Sequence, residues 1–374
     1  MEKIIKAAVD RGASDIHIKA GDVFRARIDG KLIPLTKQAL TPDQTKGIAL
    51  RIISNEADRA RIDQIRDYDC SWGAVGIGRF RANILKQRSS FMIVLRVIPF
   101  EVPTLEKLHL PERVAELVSA DRGLVLVTGA TASGKSSTLA ALINHVNSTA
   151  SKHVVTLEHP IEFLHRDLNS SVTQREVGVD TESFGMGLRA ALRQDPDVIV
   201  IGEMYDAEMV DTVLYGVETG HLILTTLDSP DVQSAITRMI GMFPTEEQQV
   251  VRQRIASSLR GIISQRLLPR ADEKGRVAVA EVLKVTPEIR EILADPDRID
   301  ELRDQMEAGA AEHGMQTFDQ HLAGLLAAGV ITRDVALAAA SDPDAIGASV
   351  KSGKARGGHK AGESPRKGAG AGVS

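Results

Sequence analysis

Apolar and polar positions are arranged in two different ways along this chain. Over residues 1–99 the pattern changes every few residues, as short strands and helices in alternation require. Residues 24–28 alternate toward an Asp29-Gly30 turn and 31–35 continue the alternation, which predicts a hairpin. Thr41, followed by Pro42 and Asp43, has the form of a helix N-cap with proline in the first turn, predicting a helix to about Ile53. Two strand-like runs, RFRANIL and FMIVLRVI, fall within 78–98, so 1–99 is expected to be a small α+β domain. Pro99 and Pro103 punctuate its end, and 100–111 reads as a linker.

From 112 to 345 the texture differs. GLVLVTG (123–129), HVVTLE (153–158), DVIVIGE (197–203) and HLILTTL (221–227) are near-continuous apolar runs. Strands without polar alternation are covered on both faces, which predicts a parallel sheet flanked by helices and an α/β fold. A helix-forming run, 135–147, follows the first of them, and 245–268 reads as one long amphipathic helix. Helices are expected to dominate from there to about Ala340. Residues 346–374 are rich in glycine, alanine, serine and lysine, with almost no large apolar side chain. Such a segment cannot offset its ordering entropy by burial, so a disordered basic tail is predicted, with Lys351, Lys354, Arg356, Lys360, Arg366 and Lys367 in solvent.

Composition removes several classes of function. With 46 basic and 50 acidic residues in 374, the net charge of -4 gives no bulk signature of nucleic-acid binding, and no nucleic-acid partner is expected. Cys70 is the only cysteine, so neither an internal disulfide nor a cysteine zinc cluster can form, and Cys70 is expected to be a small core residue. No run reaches the roughly 18 apolar residues of a membrane span, and the opening MEKIIKAAVDRG is too charged for a signal peptide. A cytoplasmic protein is expected.

The candidate chemistry lies at the strand ends. Gly129-Ala-Thr-Ala-Ser-Gly134-Lys135-Ser136 fits G-x-x-x-x-G-K-[ST] between a buried strand and a helix, where a phosphate-binding loop must sit. Its glycines let successive N–H groups converge on phosphate oxygens, and the helix N-terminus adds a favourable dipole. Gly129, Thr131, Ser133, Gly134 and Ser137 are expected to complete the cradle around ATP. Lys135 is expected to reach the β- and γ-phosphates, and Ser136 to ligate Mg2+. Glu203, at the end of DVIVIGE, is the expected second magnesium group, through water. Glu158 and Glu162 end another run; Glu162 is the candidate to activate the attacking water, with Glu158 next.

Together these residues resemble the secretion and type IV pilus ATPase family, and within it the pilus-retraction branch, over most of the chain outside the tail. The resemblance rests on SDIH (14–17), GRFRANI (78–84), PTLEKLHLP (103–111), EHPIEF (158–163), VTQREVGVDT (172–181), ALRQDPDVIVIGEM (191–204), ETGHLILTTL (218–227), MFPTEEQQ (242–249), SSLRGIISQRLLPR (257–270) and MQTFDQHL (315–322). It implies a PAS-like first domain, a RecA-like second domain, six chains in a ring, and peripheral attachment to a type IV pilus platform at the inner membrane. It also implies that Glu162 is the catalytic carboxylate, Glu203 the Walker B acid and His221 the first histidine of the family's His box. Arg79 and Arg81 match arginines of the first domain and, with Arg96, are the candidates to reach nucleotide across an interface. A single cysteine argues against the assembly-type relatives, which carry a four-cysteine zinc site. Against the family pattern, Ala130 and Ala132 replace proline and glycine in the loop, and His159 replaces an acid. Tyr205 stands for the arginine of GEMRD, and Asp228 for the second histidine of the His box. An accessory retraction ATPase or a non-hydrolysing ring scaffold are therefore the alternatives. Asp228 adds negative charge beside expected phosphates, which predicts a compensating cation, with His159 the candidate.

Overall fold

The computed structural model describes residues 1–28, 30–98 and 101–343. Asp29, Pro99 and the 346–374 tail of the sequence analysis lie outside the described residues.

The first 98 residues form a six-stranded antiparallel sheet in the order β3-β2-β1-β6-β5-β4. Its strands are β1 (Asp15–Lys19), β2 (Arg25–Ile28), β3 (Lys31–Pro34), β4 (Asp67–Ala74), β5 (Gly78–Gln87) and β6 (Ser90–Val97). Ile28 pairs with Lys31, so the expected hairpin forms with a two-residue turn. The helix Pro42–Ile52 begins where expected. Thr41 Oγ1 accepts from the Gln44 N–H at 3.2 Å while Gln44 Oε1 accepts from the Thr41 N–H at 2.9 Å, closing a capping box. One face of the sheet is buried under this helix and the helix Glu2–Val9, through Ile5, Ile16, Ile18, Ile52, Phe80, Ile84, Ile93 and Leu95. The side chains alternate in and out along β5, which is why this half reads as alternating.

The second sheet has seven strands in the order β13-β12-β7-β11-β10-β8-β9. They are β7 (Gly123–Gly129), β8 (His153–Glu158), β9 (Ser171–Glu176), β10 (Val198–Met204), β11 (Leu222–Asp228), β12 (Leu259–Pro269) and β13 (Arg276–Lys284). All neighbours are parallel except β12 and β13. Leu124 and Leu126 of β7 enter one core cluster and Val125 and Val127 the other, so both faces are covered. That double burial is the physical origin of the unbroken apolar runs.

One expectation is corrected here. The segment 245–268 is not one helix: the helix Thr245–Ser258 ends at Leu259, whose backbone is extended, and β12 follows. From Leu259 the chain enters the sheet beside β7, and the five consecutive residues 261–265 are all buried, which no single helix face could supply. Gly261 permits this insertion, since a Cβ there would stand 2.6 Å from the Leu283 carbonyl oxygen. After β12 the chain adds one more strand, β13, antiparallel to it, and from Pro287 to Ala339 the elements are all helical, as expected.

Candidate nucleotide site

The phosphate-binding loop leaves β7 at Gly129 and enters the helix Lys135–Thr149 at Gly134. Gly129 and Gly134 have φ of +153° and +92°, the second in a region that disfavours side chains. Packing constrains them as tightly. A Cβ on Gly129 would lie 2.4 Å from Ser133 Oγ and 2.5 Å from the Gln265 carbonyl oxygen. Ala132, where the family has glycine, holds φ +65°, a left-handed conformation that costs an alanine about 1 kcal/mol.

A buried side chain from the neighbouring strand fixes the loop. Gln265 of β12 donates through Nε2 to the Ser133 carbonyl at 2.7 Å and accepts from Thr138 Oγ1 at 2.7 Å. The sequence analysis assigned Gln265 no role, because a residue read as helical has no reason to meet the loop. The available signal was its place inside SSLRGIISQRLLPR, one of the family's matching stretches.

A cleft of about 840 Å3 opens over the loop. Thr131, Gly134, Lys135, Ser136, Ser137, Glu158, Glu162, Glu203 and Asp228 all line it. Glu203 reaches it because the β10–β11 register shifts between Ile201 and Glu203, a bulge that re-aims the strand end. Burial pushes the Glu203 carboxyl up, the neighbouring Asp228 carboxylate pushes it further, and Lys135 opposes both. Glu158 is driven up chiefly by burial, against hydrogen bonds from Thr156 Oγ1 at 2.6 Å and Gln174 Nε2 at 2.9 Å. Glu162 is exposed on the cleft wall.

Asp228 differs from its expected pairing. Its cation is Lys135 itself, which donates from Nζ to Asp228 Oδ1, while Thr131 Oγ1 donates to Oδ2 at 3.1 Å. His159 lines the cleft but spends its Nδ1 on the Val177 carbonyl at 3.0 Å. Burial would raise the Asp228 carboxyl; Lys135 and Thr131 outweigh it and hold it below the ordinary range.

The arginine candidates separate. Arg96 lines the cleft, steadied by Asp15 Oδ1 at 2.9 Å from its Nε. Arg81, opposite Arg96 on β5, is exposed. Arg79 is directed away from the loop into an ion pair with buried Glu176 of the second sheet, at 2.6 Å. Arg276 of β13 also lines the cleft, a cation that the sequence analysis missed. His221 is not brought to this site. It precedes β11, whose seven residues put it about 20 Å from the strand end at Asp228, and its Nδ1 contacts Thr219 and the Gly216 carbonyl.

A P-loop, a strand-end acid and a parallel sheet with helices on both faces define a P-loop nucleotide-binding protein. Residues 1–335 match the family described as Type II/IV secretion system protein, and the chain belongs to that family of ATPases. It is 40% identical over 354 residues to the type IV pilus ATPase PilU of Pseudomonas aeruginosa, covering 94% of this chain and 91% of that protein. To the type IV pilus retraction ATPase PilT of the same organism it is 38% identical over 342 residues, 91% of this chain and 98% of PilT. Among solved structures, the pilus retraction motor PilT with bound ADP superimposes with a TM-score of 0.82 at 42% identity, over 92% of this chain and 97% of that one. The ATPase DotB of Legionella pneumophila gives a TM-score of 0.78 at 29% identity, over 90% of this chain and 93% of that one. The expected mixed α/β ATPase fold and the family are thereby shown. Among the described residues no helix is long and apolar enough to cross a membrane.

Proposed function

We propose that this chain is an ATP-hydrolysing ring motor that powers retraction of type IV pili. The observation that carries the reading is the convergence of Lys135, Ser136, Glu162 and Glu203 on one cleft in a chain related over 91% of its length to PilT and 94% to PilU. In this reading Gly129, Thr131, Ser133, Gly134 and Ser137 cradle the phosphates, and Lys135 neutralises charge that develops on the γ-phosphate. Glu162 accepts the proton of the attacking water. Ser136 and Glu203 offer hydroxyl and carboxylate oxygens, a hard donor set that fits Mg2+, with Glu203 acting through water. When bound, the ion would neutralise charge between the β- and γ-phosphates. Arg96, with Arg79 and Arg81 of a neighbouring chain, is assigned to complete the site across an interface, and His221 to the subunit boundary rather than to its own chain's phosphates. The working form is a cytoplasmic homo-hexamer, docked peripherally on the inner-membrane platform of the pilus and binding no nucleic acid.

A second reading, an accessory ATPase of the PilU kind, is favoured by the 40% identity to PilU. Replacing Lys135 by alanine in the chromosome tests the retraction reading. Piliated cells that no longer twitch are expected; twitching at the normal rate would contradict it, and loss only when pili pull against load would assign the accessory role.

A further inference from the structure

The P-loop lysine of this chain has no donor to spare. An ammonium carries three N–H groups. Those of Lys135 are met by Asp228 Oδ1, the Gly129 carbonyl at 3.2 Å and the Ala130 carbonyl at 3.4 Å. The two carbonyls belong to the loop and are compatible with a bound phosphate. The carboxylate is not, because it occupies the lysine's anion-facing side with the charge that a phosphate oxygen would bring.

Several contacts hold Asp228 in that place. It ends β11 directly opposite Gly129 in the parallel register, so its carboxylate stands at the level of the loop's first residue. Thr131 Oγ1 donates to its second oxygen, and Arg238 Nη1 donates to its backbone carbonyl at 2.6 Å. Thr128 Oγ1 donates to the next carbonyl, that of Ser229, at 2.9 Å. The Lys135 side chain is 10% exposed and that of Asp228 35%, so water screens the pair only in part.

We infer that Asp228 is a positioning residue that competes with the nucleotide: its carboxylate holds Lys135, and phosphate binding requires the lysine to exchange that carboxylate for a phosphate oxygen. The inference deepens the nucleotide-site reading and rests on it. Its consequence is quantitative. Where only a fraction of molecules has the lysine free, the apparent dissociation constant rises by the inverse of that fraction. The same exchange run backwards assists product release, because Asp228 recaptures Lys135 as ADP leaves.

The test is titration of the purified full-length chain with a fluorescent ADP analogue, in EDTA and again with Mg2+. Asp228→Asn is expected to tighten metal-free binding by about tenfold, the gain if roughly one molecule in ten has the lysine free. It should also slow ADP dissociation. Asp228→Glu, which keeps the charge, should stay near the parent value. Unchanged or weaker metal-free binding by Asp228→Asn overturns the inference. Weakening confined to the Mg2+ titration also overturns it, by making Asp228 a group of the metal shell. In a Lys135→Met background the gain should vanish; an undiminished gain there would mean that Asp228 acts on the phosphates directly. Failure of the site reading looks different, because then Lys135→Met alone would bind ADP as well as the parent.

Discussion

Glu158 and Glu162 line the same cleft from opposite ends of one short segment, and their surroundings give them different work. Glu158 is half-buried and accepts from Thr156 and Gln174, which fixes it as part of the wall. Glu162 stands exposed on the cleft wall. Glu162→Gln is therefore expected to bind ATP normally and to lose turnover by roughly 10²–10⁴-fold, with an unchanged melting temperature. Glu158→Gln should lower the melting temperature as well as kcat, since it alters a half-buried acceptor of two side-chain hydrogen bonds. Measuring kcat, nucleotide binding and thermal melting on both variants checks this; full turnover by Glu162→Gln would move the base to Glu158. At this scale the acids were readable, because Glu158 ends a buried strand and Glu162 follows it in the same strand-end segment. The partner of Asp228 was not, because Lys135 lies 93 positions away and the two meet only through the β7–β11 register. Cys70 fits its expected passive role, as burial pushes its thiol up to about 12, out of range for a thiolate nucleophile.

Strand β12 shows why the later elements were harder to read. Leu259, Ile262 and Ile263 also satisfy a helical spacing, and the preceding residues are helical, so local pattern alone cannot end the helix at Ser258. What ends it is a tertiary slot between β7 and β13, and that slot delivers Gln265 to the loop. The element next to it carries a pH-sensitive joint. Glu281 of β13 accepts from the Val232 N–H at 2.9 Å, fastening the N-terminus of the helix Val232–Gly241, whose Arg238 reaches the Asp228 carbonyl. Burial, aided by nearby Asp231, pushes the Glu281 carboxyl up to about 7 from 4.5, against the Val232 hydrogen bond. A raised folded value means that the native state favours the protonated acid. Its stability contribution is complete below the unfolded value and is lost as pH rises through the folded one. Glu281→Gln, neutral throughout, should match the parent's melting temperature near about pH 5 and exceed it increasingly toward about pH 8. A constant difference across that range would show that Glu281 titrates normally.

At the scale of the whole molecule, two sheets meet through one buried carboxylate. Glu176, at the end of β9, accepts from Arg79 and from Ser71 Oγ at 2.6 and 2.7 Å, and both donors come from the first sheet. Removing one partner of such a buried pair typically costs about 3–5 kcal/mol, so the contact holds the two sheets in one arrangement. Arg79 can serve a neighbouring site only when that arrangement opens, whereas Arg96 already lines its own chain's cleft. GRFRANI makes Arg79 and Arg81 candidates, but assigning each to a partner needs the relative placement of two sheets, which no local pattern encodes. The central claim is a motor whose sites are completed between chains. The most direct measurement is ATPase activity per chain against protein concentration, with the oligomeric state followed by sedimentation in the same buffer. Activity is predicted to rise as rings assemble, to level off when assembly is complete, and to be absent at every concentration in Lys135→Ala. Full activity in a monomer, independent of concentration, would contradict the account.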